Sequence, residues 1–360
     1  MTDLSFPDLL PGLNNLLLNC VKADSGNRIL LIGEEGENCY FDTEICTLVA
    51  KAVKKAGMIA EVITAPPVKD SSAFPSHIKD AMMRADKTIF FSRLGDQVRF
   101  NLEDGISKAV IAYIPSQDYL ASSFAQADYD VMMSIHNALL ERVFNAKSYQ
   151  LKGACGTNLT GTLLSERVNI TSDFALKLFP VMIFPPINCH HMSGQLSIQH
   201  FVTSTSTRAY ENSSLVLDES IMATVEEGRM TSFDGSPKKI AALISHLERA
   251  ASLTGGDPFM INSWHTGINP GTYYLQDPYS DLEKWGTIAY GSPRYTHMHA
   301  AGNDPGDVAF HLMDLSIYLD DEIIWDQGCF IFLDQPDIQA LIPDDQKPLL
   351  NSSVRNNIGL

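Results

Sequence analysis

The chain has 360 residues, and its 43 acidic residues against 26 Lys and Arg give a formal net charge of −17. Apolar residues make up 45% and charged residues 19%, a balance that excludes a disordered chain and allows two compact domains. So acidic a surface repels phosphate groups, which argues against nucleic acid and anionic membranes as partners.

Targeting and metal-knuckle signals are missing from the sequence. The first residues carry no basic segment followed by an apolar core, and no apolar run reaches the roughly 18 residues of a membrane span. The six cysteines show no CxxC spacing, so neither a zinc knuckle nor a disulfide framework is indicated. We therefore predict a cytoplasmic protein with free thiols.

In the first half of the chain, short apolar runs alternate with amphipathic stretches. The runs that predict strands are residues 28–33, 59–64, 87–92 and 109–114, and the stretches that predict helices are residues 43–55, 76–85 and 128–147. Strands that are buried on both faces and alternate with helices favour an open, mainly parallel sheet. We predict an α/β domain over residues 1–150.

After residue 150 the pattern changes to short alternating segments separated by Gly, Pro, Asn and Asp. Residues 214–218, 221–225 and 227–235 predict a hairpin meander, and residues 237–253 predict one amphipathic helix. Residues 308–319, 322–325 and 328–334 predict further strands. We predict an antiparallel-rich α+β domain over residues 151–360.

The histidines are unevenly distributed between the two halves. Only His77 and His136 lie in the first half, whereas the other eight lie between His190 and His311. Residues two apart in a strand share a face, so His297 and His299 can point into one site.

Several motifs of the second half, in order, resemble the superfamily of thermophilic metallo-aminopeptidases and 2,5-dihydroxypyridine 5,6-dioxygenases. They are Gly156-Thr157-Asn158-Leu159, Phe184-Pro185-Pro186, Glu227-Gly228-Arg229 with Asp234-Gly235, Gly267-Ile268-Asn269-Pro270-Gly271, and Leu319-Asp320-Asp321 with Asp326-Gln327-Gly328. The resemblance covers roughly two hundred residues and implies an α/β half followed by a metal-binding half. Because this superfamily includes both hydrolases and oxygenases, the fold alone does not select between them.

The two branches differ in the metal site that they imply. The aminopeptidase branch holds two metals with ligands that include a glutamate just before the Gly-x-Asn-Pro loop, where residues 260–265 contain none. The dioxygenase branch has a histidine there, which matches His265, and completes a mononuclear iron site with a later His-x-Asp. The resemblance therefore favours the dioxygenase branch.

The sequence lacks the later His-x-Asp at the positions where the resemblance places it. Counting back from Leu319-Asp320-Asp321 places Asp307 and Ala309 at its two positions. Our first-choice ligand set is His265, His311 and Asp314, with His299 as the reserve, for Fe(II) or, alternatively, zinc. His311 and Asp314 are three residues apart, so they converge only through a bulge or a turn.

Two further groups are candidates for the substrate. His190 and His191 follow the Phe-Pro-Pro turn, at a loop that lies beside the active site in related proteins, and either side chain is a candidate general base. Aromatic residues between the proposed ligands can stack on a planar substrate or form core: Tyr273, Tyr274, Trp285, Tyr290 and Tyr295.

We predict a mononuclear non-haem iron oxygenase acting on a small hydroxylated aromatic or N-heteroaromatic ring. Two alternatives stay open: a metal-dependent aminopeptidase or amidohydrolase, and a catalytically degenerate member that binds a peptide or small molecule. Related proteins suggest a homodimer. The expected partner is a small-molecule substrate, with no nucleic acid and no membrane.

Overall fold

The computed structural model describes residues 4–98, 109–163, 176–205, 210–303 and 306–360. Contacts divide the chain into two compact units. The first is drawn from Met1–Ser134, Ser172–Met182 and Pro343–Leu350, and the second from Ile135–Thr171, Ile183–Ile342 and Asn351–Leu360. The domain boundary at residue 150 stays a prediction.

The strands and helices are numbered along the chain. The strands are β1 Arg28–Glu34, β2 Ile59–Ala65, β3 Lys87–Phe91, β4 Ala109–Ala112, β5 Ser148–Lys152, β6 Asn158–Thr162, β7 Lys177–Phe179, β8 Ile187–Asn188, β9 Met192–Ile198, β10 Phe201–Ser204, β11 Leu215–Val216, β12 Ile221–Glu226, β13 Arg229–Asp234, β14 Ile261–Thr266, β15 Tyr295–Ala300, β16 Val308–Met313, β17 Ser316–Leu319 and β18 Glu322–Trp325. The α-helices are α1 Phe6–Asn14, α2 Ile45–Lys55, α3 Ser76–Arg84, α4 Leu94–Val98, α5 Gln117–Leu120, α6 Ser123–Gln126, α7 Tyr129–Asn145, α8 Pro237–Ala251, α9 Leu282–Ala289 and α10 Pro336–Gln339. The described residues also include a π-helical turn at Asn15–Cys20 and 3-10 turns at Ser71–Ala73, Pro278–Ser280 and Ile331–Asp334.

The first unit is built around a parallel sheet of five strands in the order β2-β1-β3-β4-β7. Beyond its exposed first residue, β1 is buried throughout, as its continuous apolar run predicts. Helix α2 packs on β1 and β2 through one face that includes Val49 and Val53, four residues apart. This sheet has the alternation of strands and helices that the first half of the sequence predicts.

The second unit contains two antiparallel sheets. One has six strands in the order β11-β10-β16-β15-β14-β8, and the other has seven in the order β13-β12-β9-β6-β5-β17-β18. They agree with an antiparallel-rich second half. Within the described ranges, no helix combines the length and the apolarity needed to cross a membrane.

Two strand predictions near the end of the chain need correction. The single strand predicted over residues 308–319 is two strands, β16 and β17, because Asp314 has a φ of 52° and breaks the extended backbone. The strand predicted over residues 328–334 is wrong, since Ile331–Asp334 forms a 3-10 turn. The alternation of Phe330 and Phe332 is a pattern typical of a strand, but in the 3-10 turn the two rings lie together with their centroids 5.6 Å apart.

The six-stranded sheet has two different faces. Trp264 of β14 is fully buried, and its ring lies 5.3 Å from that of Tyr149 on β5 of the seven-stranded sheet. Side chains alternate along a strand, so the neighbouring His265 points to the opposite face. The sheet therefore packs its Trp264 face against the second sheet and carries its histidines on the other.

Candidate metal centre

Strand register brings the histidines of three adjacent strands into one row. His265 on β14 pairs with His297 on β15, and His297 pairs with His311 on β16. His299 lies two residues beyond His297 and shares its face. Directly opposed residues of antiparallel strands lie side by side, so four imidazoles line one face of the sheet.

Three of these histidines form a compact group that could hold a metal ion. One ligand atom each of His265, His297 and His299 lies within 4.8 Å of the other two. The ring centroids are 3.9 Å apart for His265 and His297, 5.0 Å for His265 and His299, and 5.1 Å for His297 and His299. All three side chains are buried, with relative exposures of 4%, 7% and 8%.

The His265 ring is fixed by a backbone acceptor. Its Nδ1 lies 3.1 Å from the carbonyl oxygen of Phe184. A carbonyl only accepts, so Nδ1 carries the proton and the ring lone pair is on Nε2. A histidine ligand typically donates its second nitrogen to such an acceptor, which sets the tautomer and orientation of the ring. On β15, His299 Nδ1 lies 3.4 Å from Ser263 Oγ.

The Gly-x-Asn-Pro-Gly motif shapes the chain directly after β14. A Cβ at Gly267 would lie 2.2 Å from the Ser292 carbonyl oxygen, so only glycine fits beside that backbone. Asn269 is fully buried and accepts a hydrogen bond from the Gly271 amide at 2.9 Å. The motif therefore begins directly after Thr266, the last residue of β14, and holds the following loop close to β15 through the hydrogen bond from the Gly267 amide to the Tyr295 carbonyl.

His311, a first-choice ligand from the sequence, is directed to other partners. Its Nε2 lies 3.1 Å from Thr203 Oγ1, and its Nδ1 is hydrogen-bonded to the Tyr295 hydroxyl. Burial, with a smaller contribution from the charge of His200, lowers the pKa of His311 to about 3. His311 is therefore a neutral, hydrogen-bonded residue beside the group of three.

Asp314, the predicted carboxylate ligand, is held by arginines. Arg294 Nε and Nη2 each donate to one Asp314 oxygen at 2.8 Å, and Arg355 lies 3.0 Å away. Burial acts to raise the pKa of Asp314, but the hydrogen bonds and charges of these arginines outweigh it and the pKa is lowered. The positive φ of Asp314 turns its carboxylate toward Arg294.

Replacing Asp314 with Asn is expected to leave metal content unchanged and to lower the free energy of unfolding by roughly 1–2 kcal/mol. Asn tolerates the positive φ, so the substitution removes the charge opposite the two arginines and little else. Metal analysis and urea unfolding measure the two effects. The matched control is Asp344→Asn, which removes the charge from an exposed ion pair with Lys347. Loss of metal in Asp314→Asn alone would restore Asp314 as a ligand.

The two candidate bases lie on a turn between β8 and β9. His191 Nδ1 is 2.9 Å from Glu227 Oε2, and the His190 amide donates to Asn188 Oδ1 at 2.7 Å. The turn is tied to β14 because the Cys189 amide donates to the Asn262 carbonyl. A role for His190 or His191 as general base stays a prediction.

Three of the five predicted aromatic residues pack around the histidine row. Tyr295 contacts His297 with ring centroids 5.3 Å apart, and Tyr290 contacts it at 6.0 Å. Trp285 of α9 contacts both Tyr295 at 4.9 Å and His311 at 5.3 Å. These rings are packing neighbours of the histidines.

The residue that the predicted ligand set omits is His297. The signal was present, since His297 and His299 are two apart in a strand and share a face. Three neutral imidazoles suit iron, zinc, copper or nickel, so the donor set fits a transition metal. In the part of the chain that the structure describes, His265, His297 and His299 are the group of three or more His, Cys, Asp or Glu residues close enough together to hold a metal ion.

Comparison with known proteins finds similarity in structure alone. No family model matches the sequence, and no curated protein matches it. A solved structure of 2,5-dihydroxypyridine dioxygenase from Pseudomonas putida KT2440 matches with a TM-score of 0.57 and 12% identity. The match covers 90% of this chain and 97% of that one. The chain is therefore similar in fold to this dioxygenase, and the relationship is distant.

Proposed function

We propose that this protein is a mononuclear metal-dependent oxygenase whose metal is held by His265, His297 and His299. The observation that carries the proposal is the buried group of three histidines. The fold of a dioxygenase around this group supports the same class of chemistry. A facial set of three protein ligands leaves metal positions open for a substrate and for dioxygen.

We propose iron as the metal and a hydroxylated aromatic or N-heteroaromatic ring as the substrate. Bound iron would supply the redox activity that oxygen chemistry needs and that zinc lacks. Neutral imidazoles leave the charge of a divalent ion uncompensated. Asp314, the carboxylate predicted as a ligand, does not compensate it because its charge is paired with Arg294 and Arg355. An anionic, chelating substrate such as a deprotonated ring hydroxyl supplies that compensation. His190 or His191 is the proposed base that removes the ring proton.

A second candidate, a zinc-dependent hydrolase, is favoured by one observation. The group consists of three histidines, as in catalytic zinc sites that keep a fourth position for water. This differs from the two-metal, glutamate-containing site of the aminopeptidase branch. The third alternative is a protein that binds a small molecule without a metal.

Metal analysis and oxygen uptake test the proposal together. The protein is purified, reconstituted anaerobically with Fe(II), and assayed with an oxygen electrode against hydroxypyridines and catechols. We expect one iron per chain and substrate-dependent uptake of oxygen, with label from ¹⁸O₂ in the product. Tight binding of one zinc with hydrolysis of model esters or amides and no oxygen uptake would support the hydrolase. Failure to bind any metal would contradict both enzyme assignments.

A further inference from the structure

Tyr295, on the same strand and face as His297, connects the metal ligand to His311. The Tyr295 ring lies 5.3 Å from His297 and 5.4 Å from His311, measured between centroids. Tyr295 is 2% exposed and His311 is 2% exposed, so their polar atoms depend on protein partners. The two residues face each other across β15 and β16.

Tyr295, His311, Thr203 and Ser204 are joined by a series of hydrogen bonds, and the bond between Thr203 and Ser204 determines which atom donates in each of the others. The Thr203 hydroxyl donates to the Ser204 carbonyl oxygen at 3.0 Å, because a carbonyl only accepts. Thr203 Oγ1 then accepts from His311 Nε2 at 3.1 Å. Neutral His311 therefore presents the lone pair of Nδ1, and the Tyr295 hydroxyl donates to it.

This arrangement fixes the ring of Tyr295 rather than moving a proton. The chain of donors ends at the Ser204 carbonyl, which passes no proton onward. Trp285 contacts both Tyr295 and His311, and its Nε1 donates to the Ile358 carbonyl at 2.6 Å. With its hydroxyl bonded and its ring packed, Tyr295 presents a defined surface to the ring of His297.

We propose that Tyr295 and His311 form a hydrogen-bonded pair that positions the metal ligand His297, with His311 acting through Tyr295. The proposal rests on the metal centre proposed above. His297 contacts His265 at 3.9 Å and Tyr295 at 5.3 Å, so Tyr295 limits the rotation of the ring that must meet the metal. Groups that orient a ligand matter because a misoriented imidazole binds its metal weakly.

Two substitutions of His311 separate positioning from packing. Asn places its Oδ1 near the position of the histidine Nδ1, so His311→Asn can still accept the bond from Tyr295. Leu has a similar size and offers no acceptor, so His311→Leu leaves the hydroxyl of Tyr295 without its bond. Tyr295→Phe removes the same bond from the other side. The buried Tyr274, whose hydroxyl contacts Gln276, supplies the control Tyr274→Phe.

Cobalt(II) titration followed by absorption spectroscopy is the measurement. We expect His311→Leu and Tyr295→Phe to bind cobalt about tenfold more weakly and with shifted ligand-field bands. His311→Asn and Tyr274→Phe are expected to retain the wild-type affinity and spectrum. Equal behaviour of His311→Asn and His311→Leu would overturn the proposal, since the hydrogen bond would then be irrelevant to the ligand.

Cobalt uptake by the wild-type protein tests the proposed metal centre separately from the proposed positioning role of Tyr295 and His311. If the wild-type protein takes up no cobalt, the proposed function fails. The same two variants are then compared by ring ¹⁵N chemical shifts of His297 in the metal-free protein. A shift in His311→Leu that is absent in His311→Asn supports positioning, and identical spectra of the two variants contradict it.

Discussion

Replacing His297 with Ala is expected to abolish stoichiometric metal binding while the protein stays folded. His297 contributes one of the three ligand atoms that lie within 4.8 Å of one another, and no other side chain takes its place on β15. Loss of an orienting neighbour alone typically costs 10–100-fold in metal affinity, so loss of a ligand should cost more than about 100-fold. Titration with Fe(II) or cobalt(II) and elemental analysis measure the change.

The same substitution at other histidines makes the result specific. His265→Ala and His299→Ala are expected to behave like His297→Ala, because each removes one ligand. His77 is exposed on α3 in the first unit, and His77→Ala should bind metal like the wild type. Wild-type iron content in His297→Ala, combined with loss in His311→Ala, would contradict the proposed centre and favour the ligand set predicted from the sequence.

Local patterns were sufficient to predict much of the architecture. The continuous apolar run of β1 predicts a strand covered on both faces, and β1 lies inside the first sheet, paired in parallel with β2 and β3. The amphipathic spacing of α2 and α8 predicts both helices to within two residues of their observed ends. These features depend on residues that are close together in the sequence.

The proposed ligand set depends on the pairing of distant strands, which local patterns do not contain. His265 and His297 are 32 residues apart in number, and only the register of β14 against β15 places them side by side. His265 was predicted from the motif that follows it, and His299 from alternation. The proposed centre takes both remaining ligands from β15, whereas the first-choice set predicted from the sequence takes them from β16 and the residue directly after it.

His311 and Asp314 belong to the ligand set predicted from the sequence, and both have other partners in the structure. Both residue types are good metal ligands, and both lie a few residues after Asp307 and Ala309, the positions at which the resemblance places the later His-x-Asp. The register places His311 opposite His297, but Tyr295 and Thr203 take its two nitrogens. Asp314 follows a backbone reversal that directs it to Arg294, twenty residues away. Tertiary packing decides whether such a side chain is available to a metal or is bonded to other protein groups.

Acid is expected to destabilise the metal-free protein through His311. Burial lowers the pKa of His311 from 6.5 to about 3 in the folded protein, whereas the unfolded chain titrates near 6.5. Between these values the unfolded state binds one more proton, so the free energy of unfolding rises with pH across this window. The contribution is fully present above pH 6.5 and declines as the pH falls toward 3, by about 1.4 kcal/mol per pH unit.

His311→Asn isolates this contribution because Asn does not titrate and keeps the bond from Tyr295. Urea unfolding of both metal-free proteins is measured at several values between about pH 7 and pH 4. All carboxylates and the other nine histidines are common to the two proteins, so their effects cancel in the difference. The variant should lose less stability on acidification, and the two curves should converge or cross as the pH falls. Parallel curves would mean that His311 takes up its proton over the same pH range in the folded and the unfolded protein. That result would contradict a neutral His311 held between Thr203 and Tyr295.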